Sequence, residues 1–176
     1  MKTFYRVKFK FIYNTRPKGI QVEALVAAES EDEACDILNK QVQNAISNPK
    51  KTTYVYSKEE DNYIPIITDA EEDDSRLISV EIISVKESTI CCFWGNPDTY
   101  LYLAKIGAVY ISFKIIQNIA IGANDFDEAY NIIKNAFKDP KYVAKQLISK
   151  KISDYDCNHA TFDIYSIKRS KLSVIP

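Results

Sequence analysis

Apolar and polar residues alternate at the start of the chain. Tyr5, Val7, Phe9, Phe11 and Tyr13 interleave with Phe4, Arg6, Lys8, Lys10 and Ile12. Period two predicts a strand with one buried and one wet face. Pro17 and Gly19 predict a turn over 14–19. Ile20, Val22, Ala24, Val26 and Ala28 then supply the inward face of a second strand. Ser30 with Glu33 three residues on is a capping box, which satisfies two free amide donors at a helix start. Ala34, Ile37, Leu38, Val42, Ala45 and Ile46 follow at helical spacing, and Pro49 stands past the end of that stripe. A short strand is expected over 53–56 and a closing strand over 76–87. The pattern reads as a β-β-α-β unit.

The second half carries the same signals. Strands are expected over 109–113 and 118–122, and Asp125 with Glu128 repeats the capping logic. A helix follows over 127–138. Pro140 opens a further helix toward residue 151, since proline suits the first helical position. The closing strand is expected over 160–168. Residues 96–106 fit either a short capped helix or the first strand of this unit.

Two pairs of segments match in order. Ala28-Glu29-Ser30-Glu31-Asp32-Glu33-Ala34 parallels Ala123-Asn124-Asp125-Phe126-Asp127-Glu128-Ala129. Val80-Glu81-Ile82-Ile83-Ser84-Val85-Lys86 parallels Phe162-Asp163-Ile164-Tyr165-Ser166-Ile167-Lys168. The offsets are 95 and 82 residues, so the first copy holds the longer insertion. The expectation is an α+β fold made by tandem duplication of a β-β-α-β unit, packed as one pseudo-symmetric body. The first repeat would span 1–88, with an acidic, tyrosine-rich insertion at about 50–74. An apolar linker or seam would span 89–98, and the second repeat 99–176.

Composition changes this picture little. The 176 residues carry 23 basic and 24 acidic side chains, far from the basic balance of a dedicated nucleic-acid binder. Apolar residues make up 46%, enough for a core. The N-terminus alternates charge with bulk, unlike a signal peptide, and four cysteines in such a chain suit a reducing cytoplasm. Lysine outnumbers arginine 19 to 4 and isoleucine outnumbers leucine 24 to 7, as in AT-rich coding sequences. The Ala28-x-Ser30-x-x-Glu33-Ala34 step between a strand and a helix resembles that of small phage and plasmid accessory proteins.

Candidate chemistry is sparse. With four glycines and one histidine, the chain holds no phosphate-cradling loop and no catalytic motif of the common hydrolases. His159 reads as a surface residue. Cys91, Cys92, Cys157 and His159 match the ligand count of zinc, but adjacent cysteines lack the C-x-x-C spacing. Cys35 lies near a helix start, a position that lowers a thiol's pKa. The sequence therefore points away from catalysis and assigns no catalytic, cofactor or metal residue.

What remains is a contact surface. Tyr54, Tyr56 and Tyr63 fall in the insertion beside the acidic run Asp69, Glu71, Glu72, Asp73 and Asp74. Tyrosine offers apolar area with a polar tip, and the carboxylates would steer a basic partner. The expected function is a non-enzymatic protein-interaction module, encoded by a phage or mobile element and inhibiting a host immune protein such as a nuclease. The alternative is a nucleic-acid-binding accessory protein using Arg6, Lys8 and Lys10.

Overall fold

The computed structural model describes residues 2–13, 16–47, 54–57, 62–65, 77–148 and 151–175. It is a mixed α+β protein, with two sheets and four helices among the described residues, and divides into two units. The first unit comprises Met1–Ser88 with Lys171–Pro176, and the second Thr89–Ser170.

In the first unit, β1 (Thr3–Tyr13) pairs antiparallel with β2 (Arg16–Ala28). Helix α1 (Glu31–Ser47) follows, then the hairpin of β3 (Tyr54–Ser57) and β4 (Asn62–Pro65), then β5 (Leu77–Glu87). The sheet order is β4-β3-β2-β1-β5, and β10 (Ser173–Ile175) adds in parallel to β2 at Ala24–Val26. The alternation in β1 does what period two demands. Val7, Phe9 and Phe11 are fully buried and pair with Ala24, Val22 and Ile20 on the same face. Ala34, Leu38 and Val42 of α1 close the core over them. Each large side chain taken from water stabilises by roughly 1.5–3 kcal/mol. Phe9 and Phe11 meet edge to face with centroids 5.2 Å apart. The other face of β1 is not uniformly wet, because Phe4 is buried.

The second unit opens with β6 (Ile90–Gly95), then β7 (Tyr100–Val109) and β8 (Lys114–Ala123). Helices α2 (Phe126–Ala136), α3 (Pro140–Ile148) and α4 (Asp154–Asn158) precede β9 (Thr161–Arg169). The sheet order is β6-β8-β7-β9, with β6 parallel to β8 and the other pairs antiparallel. Ile106, Ile119, Ile121, Ile133 and Val143 are fully buried between this sheet and α2 and α3.

Two expectations differ from this arrangement, and one left open is decided. Residues 109–113 do not form a strand. Val109 ends β7, and Tyr110 donates its backbone N–H to the Phe113 carbonyl at 2.9 Å, closing the turn to β8. The two rings stack at 4.9 Å, so the apolar run is spent inside a turn. Residues 96–106, left between helix and strand, supply most of β7. The expected linker 89–98 contains β6, a strand of the second sheet, and the final residues return to the first unit.

The two units share one pairing scheme. In each, a central strand lies between its hairpin partner and the closing strand, giving β2-β1-β5 and β8-β7-β9. Lys8 pairs with Ser84 and Phe9 with Ile82, leaving Ile83 as an extra residue. Lys105 pairs with Ser166 and Ile106 with Ile164, leaving Tyr165 as the extra residue. Beyond each irregularity a serine amide closes the ladder. Ser88 donates to the Phe4 carbonyl at 2.7 Å and Ser170 to the Leu101 carbonyl at 2.8 Å. The helix starts agree as well. Glu33 N–H donates to Ser30 Oγ at 3.1 Å, and Glu128 N–H to Asp125 Oδ1 at 2.8 Å. Each glutamate reaches back, accepting from Glu29 N–H at 2.6 Å and from Asn124 N–H at 2.7 Å.

Candidate functional site

The predicted contact residues divide. Tyr54 and Tyr56 lie on β3 and Tyr63 on β4, with Tyr56 directly opposite Tyr63 in the hairpin. Asp69, Glu71, Glu72, Asp73 and Asp74 lie outside the described residues.

The basic row on β1 is tied down by a carboxylate that the sequence reading had not singled out. Glu23, on the paired strand, is only 4% exposed. Arg6 donates to its Oε2 from Nε at 3.0 Å and from Nη2 at 2.7 Å, and Lys8 Nζ lies 3.3 Å from Oε1. A buried carboxylate needs such partners, because an unpaired one would carry a large desolvation cost. Two of the three predicted phosphate contacts thus already serve Glu23.

The thiols and the histidine are dispersed in role. His159 caps the C-terminal end of α4, exposed, with Nδ1 2.9 Å from the Tyr155 carbonyl and its ring 4.5 Å from the Tyr155 ring. Cys157 is buried in α4. The Cys35 thiol is pushed up, not down: burial disfavours its thiolate, and Asp32, Asp36 and Glu31 in the same helix repel it. Cys91 and Cys92 do approach each other, with sulfurs 3.7 Å apart. The hydrogen bond between them lowers the pKa of Cys91 and raises that of Cys92, which burial raises further. Among the described residues no group of three or more His, Cys, Asp or Glu side chains is placed to hold a metal ion.

Among the described residues an exposed apolar patch lies on the second unit, on the face of β7, β8 and β9 turned away from α2. Register places Lys105, Gly107, Lys114, Ile116, Asp163 and Lys168 there, and the bulge residue Tyr165 reaches the same face over Gly107. Tyr165 is 48% exposed and Ile116 45%, and both sit at Gly107, one as its neighbour on β8 and the other lying over it. Lys114 Nζ is 6.0 Å from the centre of the Tyr165 ring. Helix α2 presents a second stripe, where Phe126 and Tyr130 stand exposed one turn apart and Lys134 reaches over the Tyr130 ring. Sequence reading missed the sheet face because Tyr165 occupies a bulge, where the period-two rule that assigns faces breaks down. Among the described residues no helix is long and apolar enough to cross a membrane.

Comparison with protein-family models, with curated proteins and with solved structures finds no match for this chain.

Proposed function

We propose that this chain is a non-enzymatic protein-interaction module, arisen by tandem duplication of a β-β-α-β unit. In this reading a phage or mobile element encodes it, and it acts in the cytoplasm on a host immune protein such as a nuclease. The shared register of the two units, down to the extra residues Ile83 and Tyr165, supports the duplication. The observation that carries the interaction reading is the Ile116–Tyr165 pair standing in solvent at Gly107. Adjacent exposed apolar side chains on a sheet face, ringed by charge, are the make-up of a contact anchor with a polar rim. The acidic run Asp69–Asp74 would add steering toward a basic partner.

A second reading has its own observation. Lys105, Lys114 and Lys168 share their face with Tyr165. Sheet-type RNA binders combine stacking aromatics and basic residues in this way. Nucleic-acid binding is therefore the alternative, moved from Arg6 and Lys8 to the second unit.

The test uses three folded variants: Tyr165→Ala with Ile116→Ser, residues 59–74 shortened to a four-residue turn, and the triple alanine variant of Lys105, Lys114 and Lys168. Partner capture from host cells is measured beside titration with labelled single-stranded RNA and DNA at two salt concentrations. A captured protein lost in the first two variants supports the interaction module. Steeply salt-dependent RNA or DNA binding, lost in the lysine variant, replaces it with the alternative. Capture unchanged in all three variants overturns both surfaces.

A further inference from the structure

In a regular strand neighbouring side chains point to opposite faces, which would hold adjacent thiols apart. β6 departs from this at one place. Ile90 pairs with Asn118 and Phe93 with Ala120, so Cys91 and Cys92 together stand opposite Ile119 alone. A bulge of this kind re-aims a side chain. Both cysteines then pack against the core beneath α3, and their sulfurs come to 3.7 Å. Cys91 is half-buried and Cys92 is 6% exposed, so Cys91 is the more accessible of the two.

We propose that Cys91 and Cys92 form a bidentate dithiol site for a soft, thiol-seeking centre, trivalent arsenic being the class that fits. With sulfur bonds of about 2.3 Å, as in zinc thiolates, sulfurs at this separation subtend about 107° at a shared atom, somewhat wider than the pyramidal angle of trivalent arsenic. A closing of the two sulfurs by a few tenths of an ångström, within reach of a side-chain torsion, completes the chelate. A direct disulfide suits the pair less well. Adjacent α-carbons lie about 3.8 Å apart, short of the about 4.4–6.8 Å that disulfides normally span. A bridging atom enlarges the ring and relieves this. Two thiolates also satisfy a soft centre that needs no third protein ligand.

The covalent step balances without an oxidant. With a monosubstituted arsenical oxide, the Cys91 thiol adds first from the accessible side, and the Cys92 thiol follows. Two sulfur–arsenic bonds form, the arsenic–oxygen bond breaks, and the oxygen leaves as water with both thiol protons. Arsenic stays trivalent throughout.

The full chain, reduced with a phosphine, is treated with one equivalent of phenylarsine oxide, challenged with excess monothiol and weighed intact, then digested. The expected result is one adduct, equal in mass to the arsenical less one water, that survives the challenge and maps to the peptide holding Cys91 and Cys92. Cys35→Ser and Cys157→Ser keep it, and Cys91→Ser and Cys92→Ser lose it. Should Cys92→Ser fail to fold, the half-buried Cys91→Ser decides alone. An adduct stripped by monothiol from the native chain, mapped to Cys35 or Cys157, or retained in Cys91→Ser overturns the proposal, as does labelling only after denaturation.

Discussion

Tyr165 lies across Gly107 so closely that a β-carbon on that glycine would come 2.6 Å from the tyrosine's Cε2. The contact is with a side chain that is 48% exposed, so the ring can swing away at moderate cost. Gly107→Ala should destabilise by about 1–3 kcal/mol, the range for overpacking. In a Tyr165→Ala background the same change should be near neutral, because the obstacle is gone and alanine suits a strand better than glycine. A double-mutant cycle by urea denaturation measures the coupling. Simple additivity would show that Tyr165 is not what keeps position 107 a glycine.

The Arg6–Glu23 pair sets a second expectation. Glu23 is buried and Arg6 holds it with two donors, while Lys8 lies farther off at 3.3 Å. Removing one partner of a buried charge typically costs 3–5 kcal/mol, and Lys8 should absorb part of that here. Arg6→Met should therefore cost about 2–3 kcal/mol, and Lys8→Met about 1 kcal/mol or less. Equal losses in urea denaturation would mean that the two cations share the carboxylate evenly.

The two capping boxes should be interchangeable. Ser30→Ala and Asp125→Ala should each cost about 1 kcal/mol, since each leaves a helix-start amide without its acceptor. Ser30→Asp and Asp125→Ser should stay within about 0.5 kcal/mol of the parent, because the two residue types cap about equally well. Thermal melts of the four variants check this. A swap as costly as alanine would show that the two helix starts differ in more than the cap.

Alkaline pH should find Tyr110. Burial, with a lesser contribution from nearby Cys157, pushes its phenol up to about 12. The unfolded chain loses that proton near pH 10. The folded state holds the proton more tightly, so this contribution is intact below about pH 10 and is lost as pH rises toward 12. Tyr110→Phe should flatten the fall in stability across that window without changing its slope near neutrality. An unchanged slope from pH 10 to 12 would assign the alkaline loss to other groups.

Much of the first unit was legible because its signals are local. The alternation in β1 and the Ser30–Glu33 box need only a few neighbouring residues to be read, and both formed as expected. The turn at Tyr110–Phe113 was misread as a strand because its residues are apolar, while their stacking depends on a reversal that composition does not mark. The Glu23 clamp joins residues 17 apart across a strand pair, so it exists only once the register is set. The same is true of the Ile116–Tyr165 surface, which needs two pairings and a bulge before its members meet. Of the surface first expected in the insertion, Tyr54, Tyr56 and Tyr63 fall on β3 and β4, while the acidic run stands outside the described residues.

The short strand β10 has a consequence for the order in which the protein is finished. It lays Ser173, Val174 and Ile175 along Ala24, Leu25 and Val26, strand residues made some 150 positions earlier. A ribosome delivers chains from the N-terminus, and domains ordinarily complete in that order. Here the second unit has all its strands once Ser170 has emerged, whereas the first still exposes a stretch of unpaired β2 edge. Such an edge is a template for wrong partners until it is covered. Residues 173–175 thus work as a latch on β2 that can close only after every strand of the second unit has been made.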